Sequence, residues 1–201
     1  MEQIVFILDK IGIFAFAFVG VSHGVKKKLD VFGLLLAGTI TAIGGGILRD
    51  LSLSKTPYAV SHIEYLLIAV VASILSMVFY SLNFKISQKI VIIADTLGLA
   101  AFAVSGSNVA IGAHLNGFVV ILFAVMTACG GGLIREVMLN EIPFVLRREI
   151  YATAAGIGGL VFYLLVQGGY GVEESTVITL ILIIVIRGFS IIKKINLPIL
   201  K

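Results

Sequence analysis

The chain is poor in charge. Only 13% of its 201 residues are Asp, Glu, Lys or Arg, against about a quarter in a typical soluble domain. Hydrophobic residues make up 59%. That balance excludes a soluble globular domain and reads as an integral membrane protein. There is one cysteine, Cys129, which excludes an internal disulfide and a cysteine-based metal site. Three histidines, His23, His62 and His114, are far apart and lack ligand spacing, so they read as loop or helix-end residues and no metal site is expected. No P-loop, dinucleotide fingerprint or nucleophile elbow occurs. No soluble segment is large enough to hold an enzyme, so no catalytic residues and no enzymatic activity are expected. The net charge of +4 would suggest nucleic acid in a soluble protein. Here its distribution over the connectors carries the information, and neither nucleic acid nor a protein partner is expected. The first apolar stretch lacks a basic leader and a small-residue cleavage site, so it reads as a span rather than a signal peptide.

About 20 apolar residues are needed to cross the hydrocarbon core. Seven stretches qualify: 4–24, 31–53, 63–82, 90–110, 117–139, 151–166 and 176–192. The expected fold is an all-α membrane protein forming one transmembrane domain over 1–201, with turn-rich connectors between the spans. Seven spans put the termini on opposite sides. One side then holds Lys26, Lys27, Lys28, Lys85, Lys89, Arg135, Arg147, Arg148, Arg187, Lys193, Lys194 and Lys201; the other holds Lys10, Arg49 and Lys55. Twelve against three is a positive-inside signal. It places the N-terminus outside and the C-terminus in the cytoplasm; a short chain without an extended basic tail or retention signal is expected in a prokaryotic plasma membrane. Arg187, near the end of the last span, reads as snorkelling to the inner interface. Lys26–Lys28 suits a topology signal and could also attract anionic lipid.

With 22 glycines, the chain is rich in the residue that lets membrane helices pack closely. Two triple runs, Gly44–Gly46 and Gly130–Gly132, start 86 residues apart. At that offset the register extends without a gap. Asp9 falls on Asp95, Gly12 on Gly98, Gly20 on Gly106, Arg49 on Arg135, Asp50 on Glu136, Pro57 on Pro143 and Tyr65 on Tyr151. This reads as a duplicated three-helix unit, 4–82 and 90–166, with 176–192 added. Three is odd, so the second copy enters from the opposite side. The expected architecture is a pair of inverted repeats, as in many transporters.

Each glycine costs about 1 kcal/mol in helix propensity relative to alanine. The triple runs therefore admit two readings. They permit close helix–helix contact, or they kink the second and fifth spans and turn carbonyls toward a polar path. Arg49 and Asp50 follow the first run, and Arg135 and Glu136 the second. Charges inside a span are costly and usually face a bundle interior or a water path. Inversion puts Asp9 and Arg49 at one mouth, and Asp95 and Arg135 at the other. A carboxylate–guanidinium pair is expected at each mouth, with Asp50 and Glu136 as further anionic partners. Such pairs either staple the helices or line and gate a route. Thr41, Thr127, Ser105 and Ser107 are candidate lining residues, though hydroxyls in membrane helices commonly bond their own backbone. Cys129 reads as a small buried packing residue.

Two three-helix repeats, each with GGGxxR[DE] in its second helix, plus a seventh helix, resemble the prokaryotic branch of the trimeric intracellular cation channel (TRIC) family over 4–192. Relatives with this repeated domain have also been called glycine-transporter-like. The resemblance implies a homotrimer with a pore in each subunit, conducting monovalent cations, chiefly potassium. It implies kinks at Gly44, Gly45, Gly46, Gly130, Gly131 and Gly132, adjoined by Arg49, Asp50, Arg135 and Glu136. Animal members carry a basic lipid-binding position in the second motif; the stretch here, Arg135–Glu136–Val137, departs from it. No cofactor is expected; the accompanying species are transported potassium or sodium ions and bound lipid. A potassium-permeable channel is the leading expectation. A secondary carrier for a small solute such as glycine is the alternative, and a non-transporting scaffold is a third reading that the buried charges oppose.

Overall fold

A computed structural model describes residues 3–82, 86–146, 150–193 and 195. Of the basic residues used to orient the chain, Lys85, Arg147, Arg148, Lys194 and Lys201 lie outside the described residues. The elements run α1 (Gln3–Lys26), α2 (Val31–Ser52), α3 (Tyr58–Ser61), α4 (Ile63–Ser81), α5 (Gln88–Gly112), α6 (Gly117–Met138), a 3-10 turn (Phe144–Leu146), α7 (Ala152–Gln167) and α8 (Val172–Lys193). All described elements are helical. Six of the helices are long and apolar enough to cross a membrane; α7, with 16 residues, is shorter. The four-residue α3 follows Pro57 and was not expected.

Local signals repeat along with the helices. Asp30 caps α2 by accepting a bond from the Gly33 amide at 2.7 Å, and Asn116 caps α6 by accepting one from Val119 at 3.1 Å. Each cap satisfies an amide that the first helical turn leaves without a partner. Lys28 and His114, and likewise Ser54 and Asn140, occupy left-handed backbone positions. Both pairs are 86 residues apart. Such a conformation costs a non-glycine residue on the order of 1 kcal/mol, so the shared turns reflect tertiary constraint rather than local preference.

α1 and α5 form the buried centre, with α2 and α6 packed on them. Within each half, glycine allows the hairpin to close. A methyl at Gly20 would press on the Ala37 carbonyl, and one at Gly106 would overlap the Phe123 carbonyl. Between the halves, a methyl at Gly45 would overlap the Thr127 carbonyl, and one at Gly131 the Thr41 carbonyl. Thr41 thus meets Gly131 while Gly45 meets Thr127. The contact order reverses, so α2 and α6 cross antiparallel. α1 and α5 cross the same way. Gly12 faces Ala101 and Phe102, Gly98 faces Phe16, and the Phe16 and Phe102 rings meet with centroids 5.2 Å apart. α4, α7 and α8 complete the bundle and leave rows of Leu, Ile, Val and Phe exposed, as suits a surface facing lipid. α8 packs on α7 and α5, with Ile183 filling the space over Gly158.

The helical assignment runs through both triple-glycine runs without a break. Neither run therefore ends or splits its helix. Their demonstrable use is close approach, because a backbone carbonyl of the partner helix occupies the place of a side chain.

Candidate functional site: two cavities at opposite ends of the bundle

Two small cavities hold the buried charges. The first, about 30 Å³, is lined by Asp9, Ile13, Ala42, Ile43, Gly46, Arg49, Asp50, Tyr58, Ala59, Tyr65 and Phe102. The second, about 80 Å³, is lined by His23, Gln88, Asp95, Cys129, Gly132, Arg135, Glu136, Val145, Tyr151 and Arg187, among others. Add 86 to Asp9, Ile43, Gly46, Arg49, Asp50, Ala59 and Tyr65, and seven of the second set result. The cavities are therefore two versions of one design. They lie at opposite ends. The second adjoins the α1–α2 connector, where Lys27 Nζ pairs with Glu141 Oε1 at 2.6 Å and Lys26 bonds Gln88. The first lies by the start of α1 and the end of α2. The Gly45–Gly131 crossing and the Phe16–Phe102 pair lie between them.

In the first cavity, Arg49 Nε donates to Asp50 Oδ1 at 2.8 Å and its Nη1 to Ser105 Oγ at 2.9 Å. The other oxygen, Asp50 Oδ2, accepts the Tyr58 amide at 2.7 Å. That bond ties the end of α2 to α3. Tyr58 stacks on His62 with centroids 3.6 Å apart and meets Tyr65 edge-on. In the second cavity, Arg135 Nη2 donates to Glu136 Oε1 at 2.6 Å. The Tyr151 hydroxyl donates to Asp95 Oδ1 at 3.0 Å, and Arg187 Nη2 lies 3.5 Å from Asp95 Oδ2. Arg187 also stacks over the Tyr151 ring, 4.8 Å from its centroid. All of these ion pairs are buried, where desolvation makes an unpaired charge costly. Helix geometry explains the adjacent Arg–Asp and Arg–Glu pairs: neighbours on a helix diverge, so the guanidinium bends back to its neighbour's carboxylate while both face the cavity.

Known proteins resemble this chain in sequence and fold. A family model described as "Glycine transporter" matches residues 6–81 and again residues 92–167. The UPF0126 inner membrane protein YadS of Escherichia coli is 39% identical over 160 residues, covering 79% of this chain and 77% of its own. A UPF0126 membrane protein of Vibrio cholerae is 35% identical over 169 residues, covering 84% and 71%. A solved structure described as the structural basis for conductance through TRIC cation channels superposes with a TM-score of 0.90 at 36% identity, covering 97% of this chain and 96% of its own. A prokaryotic TRIC channel crystallised in 0.5 M KCl gives 0.88 at 37% identity, covering 98% and 100%. The chain belongs to the TRIC family.

Within this TRIC bundle, the structure sorts the residues picked out from the sequence. Asp9, Arg49 and Asp50 line the first cavity, and Asp95, Arg135 and Glu136 the second. Their pairing differs from expectation. Arg49 pairs with Asp50 and not Asp9, and Arg135 with Glu136 and not Asp95. Asp95 pairs instead with Arg187. The snorkelling assigned to Arg187 is corrected too: it is 5% exposed and turned inward. Of the glycines, only Gly46 and Gly132 reach the cavities; Gly44, Gly45, Gly130 and Gly131 form the crossing. Thr41, Thr127, Ser105 and Ser107 line neither cavity. Thr41 donates to the Ala37 carbonyl at 2.6 Å and Ser107 to Ala103 at 2.8 Å, both within their own helix. Cys129 is buried beside Gly130 and also borders the second cavity. Tyr58, Tyr65, Tyr151 and His23 went unassigned to any site. The repeat register already matched Tyr65 with Tyr151; a tyrosine kept beside a charged motif was the available signal.

Proposed function

We propose that this TRIC protein is a monovalent cation channel, permeable to potassium, with one pore in each subunit of a homotrimer and no enzymatic activity. The single observation that carries the reading is the pair of equivalent, charge-lined cavities at opposite ends of one bundle. The pore runs between them, past the α2–α6 crossing, so the arrangement described is a closed one. Three features support it. Contacts that reverse between α1 and α5 and between α2 and α6 support two inverted three-helix repeats, with α8 as the added seventh span. With all groups ionised, the first cavity carries one net negative charge (Asp9 and Asp50 against Arg49) and the second none, a balance that favours cations over anions. The similar solved structures are described as cation channels, one of them a trimeric intracellular cation channel orthologue from Rhodobacter sphaeroides. Lys26, Lys27, Lys28, Lys89 and Lys193 cluster at the end of the second cavity, which supports a cytoplasmic position for that end and an outward N-terminus. The sequence holds no TVGYG stretch of the kind that lines carbonyl filters, so weak discrimination between potassium and sodium is proposed.

Carriage of a small solute such as glycine is the second reading. It is favoured by the closed midsection between two end cavities, which alternating access also uses, and by the name of the family model. Liposome counterflow separates the two. A carrier accumulates labelled glycine against internal unlabelled glycine. The channel reading predicts no counterflow and rapid loss of a potassium gradient. Counterflow without potassium loss would replace it with the carrier.

A further inference from the structure

The two cavities differ in one respect that the repeat does not explain. Asp95 has both oxygens engaged, one by the Tyr151 hydroxyl and one by Arg187. In the first cavity one carboxylate oxygen and the tyrosine hydroxyl lack such partners. Asp9 Oδ1 and the Tyr65 hydroxyl are buried without a hydrogen-bond partner. Asp9 is 5% exposed and Tyr65 4%, and both face the same 30 Å³ space. Arg187 comes from α8, which lies beyond the second matched repeat and has no counterpart in the first. No counterpart of Arg187 therefore reaches Asp9, and the guanidinium nearby, Arg49 of α2, bonds Asp50 and Ser105.

We infer that the first cavity is a binding site for a single monovalent cation, held between the Asp9 carboxylate and the Tyr65 oxygen, and that Arg187 is the tethered cation filling the matching place beside Asp95. A buried carboxylate needs a compensating partner, and a buried donor or acceptor left unpaired costs free energy. Arg49 attracts the Asp9 carboxylate through space, but its Nε donates to Asp50 and its Nη1 to Ser105, and Asp9 Oδ1 receives no hydrogen bond. Ser105 also hydrogen-bonds the Asp9 carboxylate, while Oδ1 has no partner. The space holds about one or two water-sized particles, so the ion sheds most of its hydration and keeps at most a water. A divalent ion is a poor fit. Calcium takes six to eight oxygens and magnesium holds an octahedral shell, while both Asp50 oxygens are already occupied by Arg49 and the Tyr58 amide. The single net negative charge of the cavity matches one monovalent cation.

The inference rests on the cation-channel reading and is tested apart from it. The full-length protein is purified in detergent, and its thermal unfolding is followed in potassium chloride and in N-methyl-D-glucamine chloride at equal ionic strength. The wild type is expected to melt higher in potassium. That rise is expected to vanish in Asp9→Asn, shrink in Tyr65→Phe and persist in Asp95→Asn. Asp9→Asn removes a buried charge without changing shape, so it keeps its fold; Tyr65→Phe provides a second, milder variant. An equal rise in Asp9→Asn and wild type, or no difference between the two salts, overturns the site. In thallium-soaked crystals the anomalous peak is expected between Asp9 and Tyr65, and a peak only elsewhere also overturns it. A wild type that conducts in bilayers but shows no potassium-dependent rise overturns the site and leaves the channel reading intact. A rise lost in Asp9→Asn, in a protein silent in bilayers, keeps the site and removes the channel reading.

Discussion

Replacing Gly45 by alanine separates close packing from helix breaking, because its neighbour Gly46 is the control. In an isolated helix, glycine to alanine gains about 1 kcal/mol at either position. At Gly45 the added methyl would overlap the Thr127 carbonyl, a backbone atom that no rotamer change can move aside. Overpacking of this kind costs about 1–3 kcal/mol, and the upper end applies because α2 and α6 must separate as a unit. Separation also loosens the reciprocal contact, where the same construction at Gly130 comes within 3.1 Å of the Gly45 Cα. Gly45→Ala is therefore expected to lose about 1–2 kcal/mol net. At Gly46 the nearest atom is Arg49 Nη2 at 3.9 Å, an ordinary contact. Gly46→Ala is expected to be neutral or stabilising by up to about 1 kcal/mol. Gly131→Ala and Gly132→Ala should repeat the contrast. The Gly45→Ala/Gly131→Ala double variant should fall short of the summed losses, since both changes act on one crossing. Denaturant unfolding in detergent reads the stabilities. Equal losses at Gly45 and Gly46 would refute the packing argument and restore the glycines as helix breaks.

Other expectations follow from the same contacts. Arg187→Gln leaves the Asp95 carboxylate buried without its guanidinium and is expected to destabilise by about 3–5 kcal/mol; a loss below about 1 kcal/mol in the same unfolding assay would contradict the buried pairing. Asp30→Ala and Asn116→Ala each remove a helix cap and are expected to cost about 1 kcal/mol apiece, and a negligible change in the unfolding midpoint would argue against the caps. The Lys27 ammonium beside Glu141 holds its carboxyl below the usual carboxylate range. A depressed carboxylate contributes above its unfolded value of 4.5 and loses that contribution as pH falls through the lower folded value. The pair is well exposed, so the effect is at most about 1 kcal/mol; Lys27→Met should remove that part of the acid dependence, and an unchanged pH profile would contradict the bond.

The sequence made the helices and their duplication legible because hydrophobic length and an ungapped register are one-dimensional signals. The spans match the observed helices to within four residues at each end. The caps at Asp30 and Asn116 fit ordinary N-terminal chemistry. The left-handed turns at Lys28 and His114 did not show, because neither residue advertises that conformation. The glycine runs were ambiguous for a physical reason. The same low propensity suits a kink or a close contact, and the carbonyls of Thr41 and Thr127 that reveal the close contact are supplied by the other helix. The gathering of Asp9, Arg49 and Asp50 at one end and Asp95, Arg135 and Glu136 at the other was legible in the 86-residue register. Their partners did not, because Arg187 arrives from the helix outside the repeat. A repeat register says nothing about contacts made by an unrepeated element.

The central claim is that ions cross through this bundle, and single-molecule currents in a planar bilayer test it most directly. The purified protein is reconstituted with a potassium chloride gradient and recorded at both voltage signs. Discrete openings that reverse near the potassium equilibrium potential are the predicted result. A silent bilayer at both signs, with glycine uptake into liposomes of the same preparation, would contradict the channel and make the protein a carrier.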